Sequence, residues 1–313
     1  GPDQACLYLG IMKNRHLLHY SLTAILLSAI PLYGQSIYSP IVVSTDAGES
    51  WQARAEGLPP TAKVSALVEA DATLWAATDA NGVYQLPEEA ARWKPTSNGL
   101  PKHLDINSLA VKGNSAVVGT YRQGIYYSTD NGLHWRRPVF NVPAISVRAL
   151  LFLSDSEILA GTDDGLYRSA DGGANWFVWT KSPQINDLLL RDGTLYLGRA
   201  DGLFRSTDKG KTTTELLAVT TGDILADDNY LYSLPTGGDI FRAPHGTTNW
   251  TTPNTSISHS QQEGLPATLW QGLHHAHVSC GTFKAAPGVP EDVGFRIILD
   301  TPDRWVAACL QRR

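Results

Sequence analysis

Three aspartates stand in nearly identical surroundings along the chain. They are Asp130 in STDNGLHW, Asp46 in STDAGESW and Asp171 in SADGGANW. A carboxylate at a fixed spacing from a glycine turn and a tryptophan could serve as a general acid, as a base, or as a ligand to a bound group. A carboxylate in a turn can equally accept hydrogen bonds from nearby backbone N–H groups and hold the turn together. The number of copies in the chain decides between these roles.

The copies recur with a period near 42 residues, which is clearest at the aromatic residue that closes each one. These residues are Trp51, Trp93, Trp135 and Trp176, at spacings of 42, 42 and 41. Asp208 in STDKGKTT and Trp250 in APHGTTNW continue the series in degraded form. An enzyme needs one asymmetric site, whereas these aspartates recur at equivalent positions. The repetition therefore favours a structural role for the aspartates.

A second pattern precedes each copy: an apolar run, a turn, an apolar run, a polar loop, and then Gly-apolar-aromatic. ALLFLSDSEILAGTDDGLYR and DLLLRDGTLYLGRADGLFR are two examples. The runs have the length of strands, and the residues after Trp, in WRRPVF and WFVWT, supply a fourth strand. Four antiparallel strands repeated every 40–45 residues are typical of a β-propeller blade. We predict an all-β fold, a β-propeller of four-stranded antiparallel blades, with seven blades favoured and six as the alternative.

The two ends of the chain leave the domain boundaries open. Residues 1–35 combine a basic stretch with an apolar run, as expected of a leader, a signal peptide or a membrane anchor. Shifted by 42 positions, however, residues 21–36 align without a gap on 63–78, so this segment could instead supply the inner strands of blade one. If it is cleaved, C-terminal strands could complete that blade. Residues 36–313 are predicted to form a single propeller domain with a degenerate C-terminal blade at 266–313.

The pattern S-x-D-x-G-x-x-W resembles the Asp-box, or BNR repeat, of sialidases, sortilin-type receptors, xyloglucanases and photosystem II stability/assembly factors. The chain is most similar to the assembly factors, which are not catalytic. Families that share the box do unrelated things, so the resemblance implies the fold more strongly than the function. In these families the box lies in the turn between the two outer strands, away from the usual ligand face. The residues expected to be structural are Asp46, Trp51, Asp130, Trp135, Asp171, Trp176, Asp208 and Trp250.

Catalytic motifs are weak elsewhere in the sequence. A sialidase-like site would need an arginine triad, a Tyr–Glu nucleophile pair and an acidic Asp. The closest echo of the family's arginine motif is FRAP, but its Arg242 falls at the repeat position of Arg168 and Arg205 and is therefore a blade residue. No phosphate-binding glycine motif or nucleophile elbow is present.

A cluster of histidines, HHAH at 274–277, is the only one with metal-like spacing, and no Cys or carboxylate stands at a diagnostic distance from it. Surface histidines are the simpler interpretation. We therefore predict no metal site and no cofactor.

Charge and cysteine content bear on partners and location. The formal net charge is −5 and no basic stripe is present, which argues against nucleic acid as a partner. The start of the chain predicts an exported protein that is periplasmic, extracellular or membrane-tethered, with membrane contact only through residues 17–34 if they are retained. Cleavage before Gln35 would leave Cys280 and Cys309, which could form a disulfide in an oxidising compartment or remain two buried thiols.

The candidate binding surface is the propeller face built from loops between second and third strands, together with residues of the innermost strands. The residues expected there are Tyr121, Arg122, Arg148, Arg199, Asp79, Asp163, Asp187 and Asp201. The three arginines come from successive blades and could form a cationic patch, or could be ordinary solvated loop residues. The assembly factors that the chain resembles are thought to use an arginine-rich face on their protein client.

We therefore predict a non-catalytic scaffold that binds a protein client, as an assembly or stability factor for an exported or membrane-associated complex. The alternative is a carbohydrate-active propeller, either a sialidase-like glycosidase or a glycan-binding lectin. Exposed aromatic residues such as Tyr121 and Trp270 would suit that alternative. A glycosidase needs two convergent carboxylates about 5–9.5 Å apart. A buried, arginine-flanked carboxylate pair at the centre would favour an enzyme, and a broad open face would favour a scaffold.

Overall fold

The computed structural model describes residues 41–45, 52–235, 240–252, 293–300 and 305–311. Every regular element in this part of the chain is a β-strand, and the strands form antiparallel sheets of up to four strands. The predicted all-β class is confirmed. None of the described residues forms a helix that is long and apolar enough to span a bilayer.

In chain order the strands are β1 (Ile41–Ser44), β2 (Gln52–Ala53), β3 (Lys63–Ala70), β4 (Thr73–Asp79), β5 (Gly82–Pro87), β6 (Lys94–Pro95), β7 (Ile106–Lys112), β8 (Ser115–Thr120), β9 (Ile125–Ser128), β10 (Val147–Phe152), β11 (Ile158–Thr162), β12 (Gly165–Ser169), β13 (Phe177–Lys181), β14 (Ile185–Arg191), β15 (Thr194–Arg199), β16 (Gly202–Ser206), β17 (Thr214–Leu217), β18 (Asp223–Ala226), β19 (Tyr230–Leu234), β20 (Phe241–Pro244), β21 (Val293–Asp300) and β22 (Trp305–Gln311).

These strands form six sheets within the described residues, and we call each sheet a blade. Blade 1 has the order β21-β22-β1-β2, blade 2 is β3–β6, blade 3 is β7–β9, blade 4 is β10–β13, blade 5 is β14–β17 and blade 6 is β18–β20. In blades 3 and 6 an isolated bridge, Tyr127 to Arg136 and Arg242 to Thr251, stands where the fourth strand would be. The first strands of successive blades lie against one another, so they are innermost. The prediction of seven blades remains a prediction, because residues 253–292 lie outside the described part.

Blade 1 joins the two ends of the described chain. Strand β1 pairs antiparallel with β22, with Ile41 opposite Ala308 and Ser44 opposite Trp305. Strands β22 and β21 are therefore the two inner strands of blade 1. From the sequence, either residues 21–36 or C-terminal strands could have supplied these two strands. The structure places 293–300 and 305–311 in the sheet of β1 and β2, which is the alternative in which C-terminal strands complete blade one. The predicted degenerate blade at 266–313 stays a prediction. Residues 1–40 and 266–292 lie outside the described residues.

The core consists of apolar layers between neighbouring blades. Because both faces of a blade pack against another blade, the second strands are buried on both sides and read as continuous apolar runs. All five residues of β11 are buried. Between blades 2 and 3, Trp75 and Val83 of one blade pack with Ile106 and Trp135 of the next. This layered packing fixes the ends of the strands, and with them the loops that carry the candidate site.

Candidate functional site

The Asp-box turns lie between third and fourth strands, and the protein itself occupies both oxygens of each described carboxylate. In blade 3, the Ser128 hydroxyl donates to Asp130 Oδ1 over 2.8 Å, and the His134 backbone N–H donates to the same oxygen over 2.9 Å. The His134 ring lies 2.7 Å from Asp130 Oδ2. The same arrangement joins Ser169, Asp171 and Asn175 in blade 4 and Ser206, Asp208 and Thr212 in blade 5. Asp46 and Trp51 lie outside the described residues.

These hydrogen bonds lower the pKa of the box carboxyls. The backbone N–H of His134, with the His134 and Ser128 side chains, lowers the pKa of Asp130 to about 2. Hydrogen bonds from Thr212 and Ser206 lower the pKa of Asp208 to about 2. For Asp171 burial raises the pKa, but the bonds from Asn175 and Ser169 outweigh it and the net shift is downward. Carboxyls with such low pKa values are ionised at neutral pH and are unsuited to act as general acids.

The box tryptophans pack at the junctions between neighbouring blades. Trp135 is 3% exposed, and its indole N–H donates to the carbonyl of Thr96 in the preceding blade over 2.6 Å. Trp250 makes the equivalent bond to Leu216 over 2.7 Å. Trp176 is also buried, but its indole N–H donates within its own turn, to Gly173. The boxes thus serve the packing of the blades.

We expect Asp171→Ala to destabilise the fold, because it strips the acceptor from the Ser169 hydroxyl and from the backbone N–H and side chain of Asn175. The expected loss is about 1–2 kcal/mol in the free energy of unfolding. Asp130→Ala should shift stability in the same direction. Urea denaturation measures both changes. Binding of a client per folded molecule should stay unchanged, and a loss of binding without a loss of stability would contradict a structural role.

A threonine closes the loop between second and third strands in blades 2, 3 and 4. The hydroxyls of Thr78, Thr120 and Thr162 donate to the carbonyls of Gly82, Gly124 and Gly165 over 2.6–2.7 Å. This threonine contact was not predicted, although aligning AAT, VGT and AGT at the ends of the second strands reveals the shared threonine. We call the surface made by these loops and their counterpart in blade 5 the loop face.

Arg199 stands at the threonine position in blade 5. Its Nε and Nη2 atoms donate to Asp201 Oδ1 and Oδ2 over 2.8 and 2.7 Å. The residue is 9% exposed, and its guanidinium carbon lies 3.9 Å from the centroid of the Phe204 ring. Because the guanidinium is paired with a carboxylate and covered by a ring, Arg199 closes its own loop as the threonines close theirs.

Arg148 is likewise paired within the chain. It lies at a β-bulge in the innermost strand β10, and its Nε donates to Asp163 Oδ1 over 2.8 Å. Asp163 also accepts from the Ser146 backbone N–H over 3.2 Å. Burial raises the pKa of Asp163, and the bonds from Arg148 and Ser146 more than offset that effect, so the pKa is lowered. This ion pair ties the innermost strand of blade 4 to its loop.

Tyr121 and Arg122 form the most exposed part of the loop face. Tyr121 is 46% exposed, and the Arg122 guanidinium lies 5.4 Å from the centroid of its ring. Arg122 adopts a φ of +61°. Within the described part of the chain it makes no ion pair. The structure therefore gives two of the three candidate arginines carboxylate partners, joins none of the three to another, and leaves Arg122 as the one without an acidic partner among the described residues.

Asp79 and Asp187 are the two remaining candidate carboxylates, and they lie in different surroundings. Asp79 ends β4 and its backbone forms an isolated bridge with Asp105. Asp187 lies on the innermost strand β14 and accepts the backbone N–H groups of Leu188 and Ile224, each over 2.8 Å. Burial first, and then the charge of Asp223 on the innermost strand of the next blade, raise the pKa of Asp187 to about 7. The structure thus brings Asp187 and Asp223 close enough to interact.

Asp187 makes stability depend on pH between the ordinary pKa of the carboxyl and its raised pKa in the folded chain. Its pKa is about 7 in the folded chain against an ordinary value of 3.8. Well below pH 4 the Asp187 carboxyl is protonated in both the folded and the unfolded chain. Between pH 4 and 7 it is ionised in the unfolded chain but still mostly protonated in the folded chain, so the free energy of unfolding falls as pH rises. Asp187→Asn should remove this slope. The unfolding free energy of the variant should rise relative to the original chain by at most about 4 kcal/mol between pH 4 and 7. A difference that stays flat over these pH values would contradict the raised pKa.

A metal site is not formed by any group of three or more His, Cys, Asp or Glu side chains in the described ranges. The histidines at 274–277 and Cys280, the first cysteine of the possible Cys280–Cys309 disulfide, lie outside those ranges. The described loop face therefore offers ion pairs and an exposed tyrosine–arginine pair, and the innermost strand β14 adds one buried carboxyl with a raised pKa.

No protein-family model and no curated protein matches the chain. Among solved structures it is similar to YCF48 from Cyanidioschyzon merolae, with 13% identity and a TM-score of 0.51 over 84% of this chain and 86% of that one. It is similar to an ancestral GH74 enzyme with 17% identity and a TM-score of 0.53, over 71% of this chain and 33% of the enzyme. The extracellular domain of BT4673 from B. thetaiotaomicron matches with 18% identity and a TM-score of 0.52, over 79% of this chain and 31% of that domain. The chain spans about a third of the length of the GH74 enzymes it matches. At these identities the likeness shows the fold alone, and that fold is a β-propeller.

Proposed function

We propose that this chain is a non-catalytic scaffold that binds a protein client through its loop face. The observation that carries the proposal is the internal pairing of charges there, Arg148 with Asp163 and Arg199 with Asp201. Because these pairs hold the loops before any client arrives, little ordering is needed on binding. Tyr121 and Arg122 remain available for contact, and tyrosine and arginine are the residue types that contribute most at protein interfaces.

The client we propose belongs to an exported or membrane-associated complex, whose assembly or stability the chain would support. This part of the proposal rests on the signal-like start of the sequence and on the resemblance of the repeats to photosystem II stability/assembly factors. The YCF48 structure adds agreement in fold over most of both chains. The role itself is tested only by finding the client.

The experiment is quantitative co-purification from the native host, with the original chain and a Tyr121→Ala, Arg122→Ala double variant. We expect one membrane or exported protein to be enriched with the original chain and to fall at least about tenfold with the double variant. Asp130→Ala is the matched control, because its turn lies at the outer strands. A client retained by the double variant, or lost equally with folded Asp130→Ala, would overturn the assignment to the loop face.

A carbohydrate hydrolase is the second candidate, favoured by the raised pKa of Asp187 beside Asp223. A protonated acid next to a second carboxylate is the arrangement that glycoside hydrolysis uses. Against it, both Asp187 oxygens accept backbone N–H groups, and Arg148 and Arg199 are already paired with Asp163 and Asp201. Hydrolysis of xyloglucan or a sialyl-oligosaccharide that is abolished by Asp187→Asn and by Asp223→Asn would replace the scaffold proposal.

A further inference from the structure

The outer edge of blade 4 departs from the other blades. Its fourth strand, β13, has five residues, whereas β2 and β6 have two and β17 has four. No other strand pairs with its outer edge among the described residues. Proteins usually keep free edge strands short or charged, because unpaired N–H and C=O groups invite another strand. Strand β13 is neither short nor charged at its first positions.

The contrast with blade 5 shows that the repeat does not require this surface. In blade 5 the residues opposite Arg205 and Phe204 are Thr214 and Glu215. At the equivalent register in blade 4 stand Phe177 and Val178, which are 59% and 49% exposed. The apolar side chains therefore belong to this blade in particular and are not part of the framework of the fold.

The connection from blade 3 extends the same apolar surface. Val139 and Phe140 are 85% and 59% exposed, and the centroids of the Phe140 and Phe177 rings lie 5.6 Å apart. The backbone holds the segment in place, because the Phe140 carbonyl accepts the Trp176 N–H over 2.8 Å. We call Val139, Phe140, Phe177 and Val178 the rim patch. Phe140 and Phe177 thus form an exposed apolar contact beside a free strand edge, and exposed apolar surface of this kind is characteristic of an interaction site.

Positive charges border the rim patch in a chain whose net charge is −5. Arg136 and Arg137 stand just before it in the sequence, with Pro138 between Arg137 and Val139. Both arginines are exposed, and neither forms an ion pair in the part of the chain that the structure describes. Trp179 is the third residue of β13, and the Lys211 ammonium lies 4.9 Å from the centroid of its ring. These cations are complementary to an acidic partner.

We propose that the rim patch binds an extended acidic segment of another protein, which adds as a strand to the outer edge of β13. Backbone hydrogen bonds to β13 would give affinity, and alternate side chains of the segment would lie on Phe140 and Phe177 and meet Arg136 and Arg137. This surface lies on the rim and is separate from the loop face, so it goes beyond the function proposed above.

Charge and backbone chemistry favour this occupant over two others. A second copy of the chain paired edge to edge would bring both sets of arginines to one interface, where like charges repel. A lipid surface would place the unpaired N–H and C=O groups of the β13 edge against hydrocarbon, where they have no partners. An acidic strand satisfies the charges and the backbone groups together.

The test uses the full chain and a fluorescein-labelled eight-residue peptide of alternating glutamate and valine, with a lysine–valine peptide as the matched probe. We expect saturable binding of the glutamate peptide alone, with slowed hydrogen exchange at 177–181. Phe177→Ser and Arg136→Glu should each weaken binding at least about tenfold. The control for Phe177→Ser is Thr214→Ser, at the equivalent position of blade 5. The control for Arg136→Glu is Lys94→Glu, because Lys94 pairs with the third strand of blade 2 as Arg136 pairs with the third strand of blade 3. Each control should change binding less than about twofold.

Several results would overturn the proposal. These are an absence of glutamate-peptide binding, equal binding of the lysine peptide, and unchanged binding in both folded rim variants. Sedimentation that shows a dimer which Phe177→Ser dissolves would assign the patch to a second copy. Binding to phosphatidylcholine–phosphatidylglycerol vesicles that Phe177→Ser abolishes would assign it to a membrane. Because Phe177 and Arg136 are exposed, circular dichroism should show both variants folded.

Discussion

Trp135→Ala should lower the free energy of unfolding by about 3–5 kcal/mol, the usual cost of removing a large buried aromatic side chain. The indole is 3% exposed and packs between blades 2 and 3 with Trp75 and Ile106. Its N–H also donates to the buried carbonyl of Thr96, which would lose this partner. The substitution therefore leaves a cavity and an unpaired polar group at one blade junction.

Urea denaturation followed by tryptophan-independent far-ultraviolet circular dichroism measures the effect. Leu133→Ala is the control in the same turn, because Leu133 is 64% exposed and its truncation should cost less than about 0.5 kcal/mol. Equal stability of the two variants would show that the box tryptophan does not contribute to blade packing. That result would also remove the main argument for an architectural Asp-box.

Local patterns in the sequence were sufficient for the strands and the box turns. The apolar runs of β10 to β12 and the Gly-apolar-aromatic start of each third strand predict antiparallel hairpins, because successive residues of a strand face opposite sides and turns need glycine or aspartate. The Ser-x-Asp spacing placed the box between third and fourth strands, where Asp130 and Asp171 are found. These features depend only on residues within one repeat.

Features that join distant residues were not predictable in the same way. The pairing of β1 with β22 joins residues more than 260 positions apart, and in the sequence residues 21–36 also align without a gap on the inner strands at 63–78. The Arg148–Asp163 bond depends on a bulge in β10 that turns Arg148 toward its own loop. For this reason the sequence left open whether the three arginines form a patch or are ordinary solvated loop residues, and the structure pairs two of them with carboxylates of the chain. The exposed Phe140–Phe177 contact likewise requires blades 3 and 4 to be in place.

A further long-range feature concerns the glycine of the GLP tripeptide that follows each of two boxes. Gly99 has a φ of +93°, and a Cβ built on it would lie 2.2 Å from the backbone oxygen of Trp135. Gly57 has a φ of +96° and meets the oxygen of Trp93 at the same distance. Both glycines precede the tryptophan of the next blade by 36 positions, so the spacing was visible in the sequence but its cause was not. The backbone of one blade reaches the next through these glycines.

Gly99→Ala should therefore lower the free energy of unfolding by about 3 kcal/mol or more. The positive φ costs an alanine about 1–3 kcal/mol, and the added Cβ also clashes with backbone atoms, which cannot move aside as a side chain can. Gly113→Ala is the matched control: its φ is +53° and a Cβ there would meet nothing within 4 Å. The control should show the conformational cost alone, about 1 kcal/mol. Chemical denaturation of the two variants separates strain from contact. If both lose the same stability, close approach at Trp135 does not matter and the blades do not depend on this glycine. If Gly99→Ala loses more, the excess contains the clash with the Trp135 backbone and the less favourable φ of +93° at Gly99, and an excess above about 2 kcal/mol requires the clash.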